Sequence, residues 1–264
     1  MPPVTTTNVG PLHHLRFQVA DSVAHITLHH APYNLLTVPM MREIAHVIDS
    51  LNNRADVKCV LLDSSQKVFS YGISREDSRP DRVFHTLEAF NSIFQSIMET
   101  SKPLIVAVDG QAVGTGCELV AFGDMIVATP RAQFAQPEVK LGIFPPFASV
   151  LLPAVIGPKR TYEMILTGEP LTALEAKELG FVNRVVPEED LQQAVNEVLN
   201  RIVQFSGPVL EMTKKVISST MGLPIRDAIR KSQDLYLNQL MALEDAQEGI
   251  RAVAENRRPV WRNR

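Results

Sequence analysis

LIVAVDGQAVGTGCEL, residues 104–119, is the stretch on which the reading of this chain turns. Leu104 to Val108 form an apolar run opened by Pro103, the pattern of a strand buried on both faces. Gly110, Gly114 and Gly116 then punctuate the chain before Cys117, Glu118 and Leu119 start a helical segment. Glycine lets backbone approach a ligand closely, and the first amides of a helix have no partner within it. Such amides favour developing negative charge, as an oxyanion hole must. A turn that merely joins strand to helix leaves the same trace, so the motif alone does not choose between the two.

Upstream, residues 57–62 (VKCVLL) read as another buried strand, followed by a polar loop with Phe69-Ser70-Tyr71-Gly72-Ile73. That loop is a second candidate amide donor, with an ordinary surface loop as the alternative. Further back, residues 14–29 predict two short strands around Ala20-Asp21-Ser22. In the second of them Ala24, Ile26 and Leu28 alternate with His25, Thr27 and His29. Residues 31–34 (APYN) read as a turn. Thr37 can then cap a helix that has Pro39 in its first turn and Met41, Ile44, Val47, Ile48 and Leu51 on one face. Val83, Leu87, Phe90, Phe94, Ile97 and Met98 predict a long amphipathic helix, and residues 125–128 another short strand. Strands alternating with helices predict an α/β fold with sheets covered on both sides. From about Leu151 helical patterns dominate, with helices expected over 208–221 and 225–257. The expected organisation is an arm at 1–12, a core at 13–205 and a helical region at 206–264.

The 264 residues are 45% hydrophobic, enough to bury a substantial core, and 26 basic against 29 acidic side chains leave a net charge of −3. That balance gives no general attraction to nucleic acid or to an anionic membrane, so any phosphate must be caught by a local patch. Arg251, Arg257, Arg258, Arg262 and Arg264 could form one, or a solvated helix face. Cys59 and Cys117 sit in apolar runs, as buried thiols in a reducing compartment do. Residues 1–12 lack the basic start and apolar stretch of a signal peptide, and no apolar segment reaches the ~18 residues of a membrane span. The expectation is a soluble, cytoplasmic protein that binds neither membrane nor nucleic acid.

Two carboxylates stand out. Glu118 follows the glycine turn amid Leu119, Val120, Ala121 and Phe122, and Glu138 follows Phe134-Ala135-Gln136-Pro137. Apolar surroundings can raise a carboxylic pKa towards neutrality, where it serves in proton transfer. Helix-end stabilisation at Glu118 and a paired or exposed charge at Glu138 are the structural alternatives. His25, His29 and His30 keep no ligand spacing with a carboxylate or cysteine, so no metal site is expected. Ser64-Ser65-Gln66-Lys67 has a serine–lysine nucleophile spacing, but it follows a strand where a helix start is required.

In this order, AHITLHHAPYNLL, KVFSYGIS, SKPLIVAVDGQAVGTGCEL, ATPRAQFAQPEVKLGIFP and EDAQEGIRAVAENRRPVW resemble the crotonase (enoyl-CoA hydratase/isomerase) superfamily, from about residue 14 to 262. Glu118 and Glu138 also stand twenty residues apart, as in family hydratases. The resemblance implies a repeated ββα spiral core with a C-terminal helical trimerisation region. It implies oxyanion-hole amides at Ile73 and Thr115, hydratase glutamates at Glu118 and Glu138, and coenzyme A along the loop of Lys67 and Tyr71. Arg262, of the same chain or of a neighbouring subunit, would meet its phosphates. The implied partner is an acyl-CoA substrate, with no other cofactor, and the implied assembly is a homotrimer or dimer of trimers.

Two departures from the family pattern bear on the site. Thr115 stands where the family usually has glycine, which keeps the amide and narrows the site. After QPE the run FPPFASVLLP (144–153) replaces a glycine-rich PGAGGTQRL-like run and looks like the cyclohexa-1,5-diene-1-carbonyl-CoA hydratases. The expected function is therefore hydration of a conjugated acyl-CoA thioester, by that specialised type or a general enoyl-CoA hydratase. Rivals are double-bond isomerisation or thioester hydrolysis on the same scaffold, and a non-enzymatic RNA-binding member. Two retained glutamates favour the hydratase.

Overall fold

The computed structural model describes residues 9–264. Most of the arm expected at 1–12 lies outside the described residues. Val9, within its end, is buried, and Leu12 packs on the core.

β1 (Leu15–Ala20) and β2 (Val23–Leu28) form an antiparallel hairpin. Asp21 and Ser22 both take positive φ, the geometry that matches a two-residue turn to the twist of its strands. α1 (Val38–Asp49) starts at Thr37, whose hydroxyl accepts from the Met40 amide. β3 (Cys59–Ser64) begins two residues later than the apolar run suggests and ends two later. Its polar end stays in register, with Asp63 opposite Thr27 and Ser64 opposite Leu28. α2 (Val83–Thr100), β4 (Leu104–Val108), β5 (Gln111–Val113), α3 (Thr115–Ala121), β6 (Met125–Ala128) and β7 (Gln133–Ala135) follow. Next come α4 (Ala148–Val155), α5 (Pro158–Thr167), β8 (Leu171–Thr172), α6 (Ala173–Glu178), β9 (Arg184–Val185) and α7 (Leu191–Val203).

The larger sheet has the order β1-β2-β3-β4-β6-β9, parallel from β2 onward. Its strands are apolar throughout because both faces are covered. Val60, Leu62, Leu104, Val106 and Val108 point into one core cluster that also takes α1, α2 and α3 residues. Cys59, Leu61, Ile105, Ala107 and Val127 point into the other, against Ala194, Val195, Val198, Leu199 and Ile202 of α7.

A smaller sheet, β5-β7-β8, lies beside it. Two isolated parallel bridges, Leu36 to Ile73 and Ser70 to Ala112, carry its pairing back through earlier turns of the chain. Each turn thus lays one strand in the large sheet and one short extended piece beside the small sheet. The pairs are β2 with Leu36, β3 with residues 70–73, β4 with β5, and β6 with β7. This is the repeated spiral that the resemblance implies.

α8 (Gly207–Thr220), α9 (Ile225–Asn238) and α10 (Glu244–Ala254) form the helical C-terminal region. The single helix expected over 225–257 is interrupted after Asn238 by a 3-10 turn at Leu240–Ala242 and an extended Leu243. The break serves the returning tail. Asp245, buried at the start of α10, accepts hydrogen bonds from the Arg262 and Asn263 amides. No helix is long and apolar enough to cross a membrane among the described residues.

Candidate active site

The spiral puts equivalent points of two successive turns side by side. Ile73 ends the extended piece after β3, and Thr115 follows β5 as the first residue of α3. The loops meet at glycines. A Cβ on Gly72 would lie 2.7 Å from the Val113 carbonyl oxygen and 3.1 Å from the Thr115 nitrogen, and Gly72 has φ +74°. Gly114 has φ +55°, and a Cβ there would stand 2.5 Å from a Glu138 carboxylate oxygen. A larger residue at Gly72 would have to displace the backbone of residues 113–115, and one at Gly114 would have to push the Glu138 carboxylate aside.

Hydrogen bonds set the direction of both amides. The Leu36 amide donates to the Gly72 carbonyl at 2.8 Å. In a planar trans peptide the next N–H points the opposite way, so the Ile73 amide is turned away from Leu36. The Gly114 carbonyl accepts from the Glu118 amide at 2.9 Å, so the Thr115 N–H points back out of the start of α3. Among the described residues neither N–H is taken by a backbone carbonyl. The Thr115 side chain is buried, and its backbone is not in the left-handed region, so α3 accepts threonine there without strain.

Glu118 sits one helical turn after this point and is only 2% exposed. One of its carboxylate oxygens accepts the amides of Phe147 at 3.0 Å and Ala148 at 2.8 Å, where α4 begins. Burial pushes its carboxyl up to about 7. The Ala148 and Phe147 amides pull downward, and the Glu138 charge adds to the rise. Glu138 opens a 3-10 turn, Glu138–Leu141, after the Pro137 corner. Burial raises its carboxyl too, and one of its oxygens is buried without a protein partner. That unpaired oxygen is poised to engage a bound molecule or water, while the other carboxylate oxygen faces the glycine turn.

Lys67 lines a cavity of about 250 Å³ with Gly110, Gln111, Arg131 and Gln133. The Tyr71 hydroxyl bonds the Gln111 side chain at its edge, and the Tyr71 ring lies 5.2 Å from that of Tyr33. Arg262 is not gathered here. Its backbone is held by Asp245, and Asn263 beside it caps Gly207 at the α7–α8 junction. That junction receives the Lys58 ammonium just before β3 starts, at the opposite end of the parallel strands from the glycine turn. Within one chain Arg262 therefore stands apart from Lys67 and Tyr71.

Four of the residues singled out in the sequence, Ile73, Thr115, Glu118 and Glu138, thus come together, with Tyr71 on the Ile73 loop. The amides of Phe147 and Ala148 were missed because a backbone donor leaves no trace in residue type. Asn34 was also missed, although asparagine tolerates positive φ and its place in a short apolar turn was a signal.

A family model described as enoyl-CoA hydratase/isomerase matches residues 18–264. The chain belongs to the enoyl-CoA hydratase/isomerase family. A probable mitochondrial enoyl-CoA hydratase of Dictyostelium discoideum is 31% identical over 88% of this chain and 84% of its own length. The cyclohexa-1,5-dienecarbonyl-CoA hydratase of Thauera aromatica is 28% identical over 92% of this chain and 94% of its own. The crystal structure of a Mycobacterium smegmatis enoyl-CoA hydratase superposes with a TM-score of 0.88 at 29% identity, covering 95% of this chain and 99% of that one. The α/β spiral with its helical C-terminal region is the fold of this family.

Proposed function

We propose that this chain is an enoyl-CoA hydratase, a hydro-lyase that adds water across the conjugated double bond of an acyl-CoA thioester. The observation that carries the reading is the pair of unclaimed amides, Ile73 and Thr115, set in adjacent turns beside two buried carboxylates. The amides hold the thioester oxygen and stabilise the enolate as the hydroxyl joins the β-carbon. Each such donor is worth ~2.7–4 kcal/mol in a transition state. Glu118 and Glu138 hold the water. One takes its proton and the other delivers a proton to the α-carbon, so their titration belongs to the pair. Addition of water changes no oxidation state of the molecule as a whole, and the reaction so written uses no cofactor beyond the thioester's own coenzyme A.

Coenzyme A lies along the loop of Lys67 and Tyr71, with its phosphates near Lys67. Arg262 reaches a phosphate only from a neighbouring chain of a homotrimer or dimer of trimers. The free, buried Cys59 and Cys117 suit a reducing cytoplasm. For the acyl group we propose cyclohexa-1,5-diene-1-carbonyl-CoA. Its support is the likeness to the Thauera aromatica enzyme and the FPPFASVLLP run, which supplies the amides on Glu118.

The test is incubation with crotonyl-CoA and with the cyclic dienoyl-CoA, following water addition by mass. Hydration of the diene alone supports the specialised reading, and hydration of crotonyl-CoA makes the protein a general hydratase. Water on neither, with double-bond migration or free thiol appearing, overturns the hydratase reading. Glu138→Gln should lower turnover by ~10²-fold with the fold unchanged.

A further inference from the structure

If Ile73 and Thr115 hold the thioester oxygen as proposed above, something must hold their separation. The Ile73 loop is laced on two sides. On one side the Tyr71 amide donates to the Tyr33 carbonyl at 3.0 Å, the Leu36 amide to the Gly72 carbonyl at 2.8 Å, and the Asn34 side chain to the Phe69 carbonyl at 2.9 Å. On the other, the Phe69 amide donates to the Gln111 carbonyl at 2.9 Å and the Val113 amide to the Ser70 carbonyl at 2.9 Å. Backbone accounts for most of this.

One hydroxyl joins the parts. Ser70 is fully buried. Its Oγ donates to the Asn34 carbonyl at 2.7 Å and accepts the Gly72 amide at 3.0 Å, the peptide immediately before the one that carries the Ile73 N–H. Ser70 also touches the other donor segment. A Cβ on Gly116 would lie 2.5 Å from the Ser70 carbonyl oxygen and 2.9 Å from its Oγ, so the first turn of α3 rests directly on this residue. Asn34, at φ +47° and fully buried, is anchored in turn by the His30 amide and by Ser64.

We infer that Ser70 is a positioning residue of the reaction, its hydroxyl setting the distance and aim of the Ile73 amide relative to Thr115. It touches no reacting atom. Its removal leaves the Asn34 carbonyl and the Gly72 amide without a partner in a buried place, so the 71–72 peptide can shift and turn the 72–73 peptide about its remaining hydrogen bond, from the Leu36 amide to the Gly72 carbonyl. A misplacement of about 1 Å in a catalytic group can cost 10²-fold in rate.

The experiment compares wild type, Ser70→Ala and Ser70→Cys with a hydratable substrate and with a dimethylaminocinnamoyl-CoA thioester. The absorption band of that thioester moves to longer wavelength as its carbonyl is polarised. Ser70→Ala should lower kcat by about 10- to 100-fold at nearly constant KM and lose much of the band shift. Ser70→Cys keeps the volume and a weak donor, so it should restore part of both. It also decides the matter if the alanine variant does not fold. A variant with wild-type kcat per folded molecule and a wild-type band, whatever its stability, overturns the role of Ser70. If wild type itself leaves the band unmoved, the oxyanion reading falls, and this inference falls with it.

Discussion

Glu118 holds its proton to near neutrality because burial withdraws the hydration its charge would need, and two amides only partly replace it. From the ordinary glutamate value of 4.5 up to about 7, the folded chain binds more protons at this site than the unfolded chain. Stability from this group is therefore greatest below pH 4.5 and falls as pH rises to 7, by roughly 3 kcal/mol. Glu118→Gln stays neutral and keeps an acceptor for the two amides. The variant should gain on wild type by roughly that amount between pH 4.5 and 8, while losing turnover. Urea midpoints at the two pH values check this, and parallel midpoints would show that Glu118 titrates normally. At Gly114 the argument is steric. Gly114→Ala combines a positive φ, costing about 1–3 kcal/mol, with a methyl driven into Glu138. It should fold, by circular dichroism, yet lose about 10²-fold in kcat.

At the scale of elements, the strands and helices of the core were readable because each obeys a local rule. Thr37 caps α1, the β1–β2 turn carries residues that accept positive φ, and β4 is apolar on both faces. Boundaries moved where pairing outweighed composition: Asp63 and Ser64 stay in β3 because the ladder with β2 continues through them. The α9–α10 break was invisible because its cause, the tail returning to Asp245, lies many residues away. Attachment of α8 to the core depends on Lys102, 2% exposed at its side chain. Its ammonium donates to the Val57 carbonyl at 2.8 Å and to Glu211 at 2.6 Å. Lys102→Ala should cost roughly 2 kcal/mol, because it leaves the buried Val57 carbonyl without its partner and removes the ion pair of the partly exposed Glu211. Denaturant unfolding measures this, and a loss below 1 kcal/mol would mean that α8 is held by apolar packing and by Lys214, whose ammonium bonds Asp124 and the Lys102 carbonyl.

The whole chain presents many apolar side chains on the C-terminal helices, among them Ile217, Ile225, Ile229, Leu237 and Val253. A protein that stayed single would rarely expose so many on one region. Light scattering should return the mass of a trimer or dimer of trimers, and Leu237→Asp should reduce it without loss of helix. A single-chain mass for wild type would end the proposal that Arg262 crosses to a neighbour's coenzyme A. The sequence by itself determined the α/β alternation, the glycine turn, both glutamates and the family, because these are written in periodicity, in residue type and in motifs that sit close together along the chain. Only the tertiary structure decided that Ile73 and Thr115 come together with unclaimed amides, that Phe147 and Ala148 hold Glu118, and that Arg262 lies at the other end of the sheet. Those facts are contacts between turns of the spiral. Each depends on the direction of a peptide group or the path of a distant segment, and neither is encoded in the identity of the residue that shows it.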